Sequence, residues 1–180
     1  MDSIQFTKED MAERSNYRQV WHKTTTSVGL VTSRFQGKDN VMACEWAIPV
    51  SFRPVQFLIV IGKNKKTAEL ILESKEFGIT FASDEQATLS HISGSYSGHD
   101  MEKFEFHNFP TREGKIINAP IILDGLLAVE CKLAHTLDIG DRYVFVGEAV
   151  YAELWDDKSP LIYHAGKYYS LGTNIPKPKL

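Results

Sequence analysis

The chain has 180 residues, 43% hydrophobic and 24% charged, proportions that suit one folded domain with a sizeable core. A formal net charge of −3 gives no electrostatic case for nucleic acid or an anionic membrane, and no apolar run approaches the ~20 residues that span a bilayer. Two cysteines, Cys44 and Cys131, are too few for a disulfide scaffold and lack metal-ligand spacing, so a reducing cytoplasm is the expected compartment.

No repeat, linker or secretory pattern interrupts the sequence. One domain over 1–180 is expected, with its core at about 20–172, an N-terminal arm over 1–19 and a tail over 173–180. Thr7 to Gln19 is polar with sparse helical periodicity, an arm or short helix. Val28 to Phe35 reads as a strand, Gln36-Gly37-Lys38-Asp39-Asn40 as a turn, and Val41 to Ser51 as the returning strand of a hairpin. Pro54 breaks the pattern before Val55–Ile61, a nearly continuous apolar run expected as a central strand. Thr67 is the expected N-cap of a short, one-sided helix reaching Glu76. Phe77 to Phe81 is a strand, and Ser83 with Gln86 suits a capping box opening a helix toward His91. Ser93 to Gly98 reads as loop. Leu126–Leu137 and Tyr143–Leu154 form two long strands about a Gly140-Asp141 turn, and a short strand pair follows near Tyr163 and Tyr168. Strands adjacent in sequence with few short helices favour a mainly β architecture, an antiparallel β-barrel with helical insertions, over a doubly wound sheet.

The chain has no G-x-G-x-x-G, P-loop, H-E-x-x-H, C-x-x-C or G-x-S-x-G pattern, and its six histidines are scattered. No metal site is read from them. The chemistry that remains lies in Asp39 to Pro54, where an amide, two sulfur side chains, a Trp, a hydroxyl and an Arg follow at close intervals. That mix suits a strand and loop wrapping a flat, polar-edged, phosphate-bearing ligand such as a flavin. Asn40 serves either as a turn residue or as a donor–acceptor for an isoalloxazine or ribityl edge. Met42, Cys44 and Trp46 share one face by the two-residue period, as core or as a soft, flat wall. Nothing in the sequence lowers the Cys44 thiol pKa, and packing is its expected role; Glu45 is expected to be a solvated or hydrogen-bonded charge. Lys63, Lys65, Lys66 and Thr67 stand at a helix N-terminus, where each cation opposes the dipole by a few tenths of a kcal/mol and a bound anion removes the conflict. Ser93 to Asp100, with Lys103-Phe104, is either a surface loop or a flap over a ligand. His164, with Tyr168 and Tyr169, either lines a nicotinamide or flavin pocket or packs strand ends.

These pieces resemble the flavin reductase-like, FMN-binding split-barrel family, in particular its flavoredoxin-type branch. The matching segments are Asn40–Trp46 with Pro49-Val50-Ser51 and Pro54; Thr67–Ile71 with Glu73-Ser74 and Glu76-Phe77; Ser97–Asp100 with Lys103-Phe104; Ala119-Pro120; Glu130-Cys131; Gly140-Asp141 with Gly147–Val150; and Tyr168–Gly172. The resemblance runs in family order from about Gly29 to Gly172. It implies a six-stranded antiparallel split β-barrel, a homodimer with FMN near the subunit interface, and NADH or NADPH as electron donor. By position, Asn40, Met42, Ala43, Cys44, Trp46 and Ser51 would contact the ring and ribityl chain, Lys65, Lys66 and Thr67 the phosphate, with Ser97 at the loop beside them. His164 is a possible nicotinamide or flavin contact. Where the family often carries His after the Gly-Asp turn and Arg in the Ser-Gly loop, this chain has Arg142 and His99, so substrate contacts there are expected to differ. The implied activity moves electrons from reduced nicotinamide through FMN to a small-molecule or protein acceptor. The alternatives are an FMN-carrying electron-transfer protein without efficient NAD(P)H oxidation, or a split-barrel binding protein lacking flavin.

Overall fold

A computed structural model describes residues 3–177. The outermost residues of the expected arm (1 and 2) and tail (178–180) lie outside the described residues. The arm is helical: α1 (Lys8–Ala12) starts from a reciprocal capping box between Thr7 and Asp10, and α2 (Arg14–Trp21) follows directly.

β1 (Thr25–Ser27) leads into a hairpin of β2 (Gly29–Phe35) and β3 (Lys38–Cys44). Gln36 and Gly37 both have positive φ (49° and 74°), the backbone twist of a two-residue hairpin turn. Lys38 is already in the strand, so Asn40 is no turn residue: it pairs across the ladder with Ser33. β4 (Ala47–Phe52) and β5 (Val55–Gly62) form the next hairpin. Helix α3 spans Lys66–Ser74 with Lys65 as its N-cap, which moves Thr67 from the expected cap into the first turn, where it is buried. β6 (Glu76–Phe81) follows, then a 3₁₀ turn over Asp84–Gln86 carrying the expected Ser83–Gln86 capping box. Helix α4 (Ala87–Ser95) runs past His91, so Ser93-Gly94-Ser95 is helical where loop was expected. After α5 (Lys103–Phe106) and the small ladder of β7 (Thr111–Arg112) and β8 (Ile121–Ile122) come β9 (Leu127–Ile139) and β10 (Arg142–Leu154). β11 (Ile162–His164) and β12 (Lys167–Tyr169) close the chain and form a separate three-stranded sheet with β1.

The main sheet is antiparallel with the order β3-β2-β6-β9-β10-β5-β4. Its two edges, β3 and β4, are consecutive in the chain and separated only by Glu45 and Trp46. Two residues reach about 10 Å at most, so the sheet must roll until its edges meet at this corner. The corner is stitched to β5 by Val60 N–H donating to Trp46 O at 3.0 Å. Six strands are recovered when β3 and β4 are taken as one strand bent at the corner, which is how Val41–Ser51 reads in sequence; the bend makes the ladder seven. β5 is next to the β4 edge rather than central.

Alternation along the strands builds two cores. On β2 and β3, Val31, Met42 and Cys44 face one cluster with Ile59, Phe77, Val129 and Phe145; Leu30, Val41 and Ala43 face another with Phe109, Ile122 and Leu161. Every residue of β6 is buried because both of its faces are covered. α3 lays Ala68 and Ile71 on the first core. A fully buried side chain the size of Ile71 contributes about 1.5–3 kcal/mol. Packing of this kind holds β3 between α3 on one side and α4 on the other.

Candidate functional site

Three adjoining cavities run along β3, and Ala43 lines all of them. The first, about 120 Å³, lies at the N-terminus of α3. α3 brings Lys66 and Thr67, with Lys65 just ahead; the loop after α4 brings Ser97 and Gly98; α5 brings Lys103. No side chain caps α3, and the first N–H groups of any helix lack intrahelical partners, so backbone donors open on this space as well. Asn40 forms its floor. The buried Asn40 amide donates to Thr67 Oγ1 at 2.7 Å, so the Thr67 hydroxyl keeps its own hydrogen for another acceptor. Gly98 presses on the same amide: a Cβ there would stand 2.4 Å from Asn40 Oδ1, so only glycine lets the loop sit this close. Lys66 pairs with Glu69 at 2.9 Å, and the same carboxylate meets His99 Nε2 at 3.3 Å. That lysine, followed by His99, holds the Glu69 carboxyl below its ordinary range, against a small effect of burial.

The second cavity, about 100 Å³, is walled by Met42, Cys44 and Trp46 of the bent strand, by Trp21 of α2 and by Arg142 at the start of β10. The Arg142 guanidinium lies 4.4 Å from the Trp46 ring centroid, and Trp21 meets Trp46 edge-on at 5.8 Å. Cys44 is buried; its thiol donates to Trp46 O (3.5 Å) and Val60 O (3.6 Å), and burial pushes its pKa up to about 11. The third cavity, about 300 Å³, collects Glu45, His91, Gly94, Tyr163 and Tyr168. Burial raises the Glu45 carboxyl pKa despite Arg142 and a Trp21 hydrogen bond, and it raises both tyrosines too.

Of the residues singled out from sequence, Asn40, Met42, Ala43, Lys65, Lys66, Thr67 and Ser97 meet around the first cavity, and Cys44 and Trp46 join Met42 and Ala43 at the second. Ser51 lines none of the three: it sits on β4 opposite Gln56. His164 is also outside them. Its Nδ1 lies 2.9 Å from Thr25 Oγ1 and 3.1 Å from Thr24 O, tying β11 to β1, while its neighbours Tyr163 and Tyr168 do line the third cavity. Trp21 and His91 carry no site role in the sequence; long-range packing brings them in, and the sequence around each resembles an ordinary surface or core segment. Arg142 is marked in the sequence only as a departure at a substrate-contact position, and Lys103 only as part of a segment that is either surface loop or flap; the fold places both on cavity walls. Among the described residues no cluster of His, Cys, Asp and Glu could hold a metal ion, and no helix is long and apolar enough to cross a membrane.

Comparison with known proteins gives the same family as the motifs. The chain is 31% identical over 152 residues to the protein YddH of Escherichia coli K12, covering 76% of this chain and 80% of that one. It is 27% identical over 147 residues to a ferric-chelate reductase (NAD(P)H) of Archaeoglobus fulgidus, covering 81% of this chain and 85% of that one. The fold superposes with a TM-score of 0.84 at 20% identity on the Streptomyces globisporus C-1027 NADH:FAD oxidoreductase SgcE6 in complex with NAD and FAD fragments, over 93% of this chain and 98% of that one. The flavin reductase like domain matches residues 21–172, from the end of α2 to just past β12, and the chain therefore belongs to the flavin reductase-like family.

Proposed function

We propose that the protein is an FMN-binding oxidoreductase that draws electrons from NADH or NADPH and delivers them to a small-molecule or protein acceptor, working as a homodimer in the cytoplasm. The observation that carries this reading is the continuity of the groove along β3. Lysines, hydroxyls and helix N–H groups converge at one end, and a soft, flat wall of Met42, Cys44 and Trp46 follows. The donor set fits FMN: the first cavity matches a phosphate, and Ala43 leaves the middle of the strand low enough for a planar ring. Bound there, FMN supplies hydride acceptance from the nicotinamide and transfer of those electrons onward.

The protein's own part is to bind, orient and exclude water. Lys65, Lys66 and Thr67 hold the anionic end, with Asn40 fixing the Thr67 hydroxyl as a donor. Trp46 braced by Arg142 and Trp21 gives the groove a rigid side. Cys44, a buried thiol with a raised pKa, packs and takes no electrons. The third cavity, with Glu45, His91 and two tyrosines, is the space left for the nicotinamide or the acceptor; one relative is named for NAD(P)H, and a neighbour in fold is in complex with NAD and FAD fragments. Exposed apolar side chains on β4 and β5 (Ile48, Val50, Phe52 and Val55) suit a second subunit. Two free, buried cysteines suit the cytoplasm.

The test is spectroscopic. Purified protein mixed with FMN should bind it, perturbing the flavin absorption bands, and NADH or NADPH should bleach them under anaerobic conditions. Protein that binds FMN but leaves both nicotinamides unconsumed is an electron carrier rather than a reductase, and protein indifferent to FMN removes the flavin assignment.

A further inference from the structure

Lys103 is the most unusual charge in the molecule. It is 2% exposed, yet among the described residues no carboxylate pairs with it. An ammonium has three N–H donors. Two are spent on backbone carbonyls, Val41 O at 2.6 Å and Ser93 O at 3.0 Å, so the lysine bridges β3 to α4. The third remains for whatever enters the cavity that Lys103 lines together with Lys65, Lys66 and Thr67. A buried charge without a counter-charge is costly, and the two carbonyls that Lys103 bridges are neutral acceptors that leave its charge unbalanced. The surroundings do not neutralise it. Lys65 and Lys66 face it from α3, and Glu69 on that helix is engaged by Lys66 and His99. On β3, Asp39 is taken by Arg34; around α5, Glu102 and Glu105 are exposed; from α4 and the residue after it come Ser93, Gly94 and Tyr96.

We propose that Lys103 is the specificity determinant of this site, selecting a dianionic phosphate monoester, so that the groove takes FMN in preference to riboflavin and FAD. This rests on the flavin reading above and goes beyond it. Three ammonium groups around about 120 Å³ match one terminal phosphate carrying two charges. Riboflavin offers no charge to them. In FAD the corresponding phosphorus carries one charge and is bonded to a second phosphate that the cavity must also pass. Burial, and then Lys65, lower the Lys103 pKa to about 8, so above that pH the lysine must take up a proton as the anion binds.

The experiment is a flavin fluorescence titration of wild type and Lys103→Met with FMN, riboflavin and FAD. The expected result is a loss of about 10- to 100-fold in FMN affinity, the range of one hydrogen bond to a charged group, with riboflavin affinity within about threefold of wild type. Equal weakening of FMN and riboflavin marks Lys103 as structural and overturns the proposal, as does an unchanged FMN affinity. A change in KM for NADPH without one in FMN affinity assigns the cavity to the nicotinamide 2′-phosphate and overturns it too. Should Lys103→Met fail to fold, wild type between pH 7 and 10 decides. FMN affinity should fall toward tenfold per pH unit above about 8 while riboflavin, which shares the ring and controls for its titration, stays behind. Parallel curves overturn the proposal. Wild type that binds none of the three flavins removes the flavin reading itself, an outcome distinct from losing the FMN preference.

Discussion

Cys44 and Asn40 show how the same strand assigns opposite work to neighbouring positions. Both side chains point to the α3 face of β3, but Cys44 finds only carbonyls and apolar groups, whereas Asn40 finds a hydroxyl. Burial pushes Cys44 up to about 11 and Cys131 up to about 12, so both are thiols at neutral pH. Iodoacetamide at pH 7.5 is expected to leave both cysteines unlabelled in the folded protein and to label both in denaturant, which mass spectrometry reads directly. Rapid native labelling of Cys44 would show a thiolate that this burial does not allow. The soft residues Met42 and Cys44 are readable as one face from the period of two. That Asn40 fixes a threonine 27 residues away is not, because only the packing of α3 against β2 and β3 brings the two together.

At the scale of elements, two carboxylates hold the segment between β7 and β8: Glu76 of β6 accepts from Asn118, and Glu130 of β9 takes the rest. Glu130 accepts from Lys115 N (2.8 Å), Ile116 N (2.7 Å), Ile117 N (3.1 Å) and Arg112 Nη1 (2.9 Å). Burial by itself would raise the Glu130 pKa. The four donors outweigh it and hold the group below its ordinary 4.5. A carboxyl whose folded pKa is depressed contributes stability that is fully present above the unfolded pKa and is lost as pH falls through the folded one. Glu130→Gln is therefore expected to cost about 2–4 kcal/mol at pH 7, and the difference from wild type should shrink below pH 4.5, as urea unfolding at both pH values would measure. A constant difference would assign the loss to packing alone. One of the two register shifts between β9 and β10 falls at Gly147, where a Cβ would lie 2.5 Å from Phe77 Cζ and 2.7 Å from Cys131 Cβ, so only glycine fits.

For the whole molecule, rolling the sheet at Glu45–Trp46 leaves β4 as an edge with Phe52 79% exposed and Ile48 and Val50 half-exposed beside it. A long apolar edge of this kind invites a partner strand or a second copy. Sedimentation velocity is expected to give a dimer for wild type and a shift toward monomer for Phe52→Glu; an unchanged dimer would place the interface elsewhere. The amino-acid sequence alone determined the strand-rich class, the long hairpin about Gly140-Asp141, the alternation on β3 and the lysine-threonine corner, because each follows from periods or turn chemistry within a few residues. It also gave the family, through motifs spread along the chain. The tertiary structure decided that β3 and β4 are the two edges of one sheet, that Thr67 lies inside its helix, and that Ser51 and His164 stand outside the groove. It alone revealed Lys103 as a buried, unpaired charge. Burial and hydrogen-bond partners at these positions are set by segments tens of residues distant, and a lysine bound for the interior is written with the same letter as one bound for water.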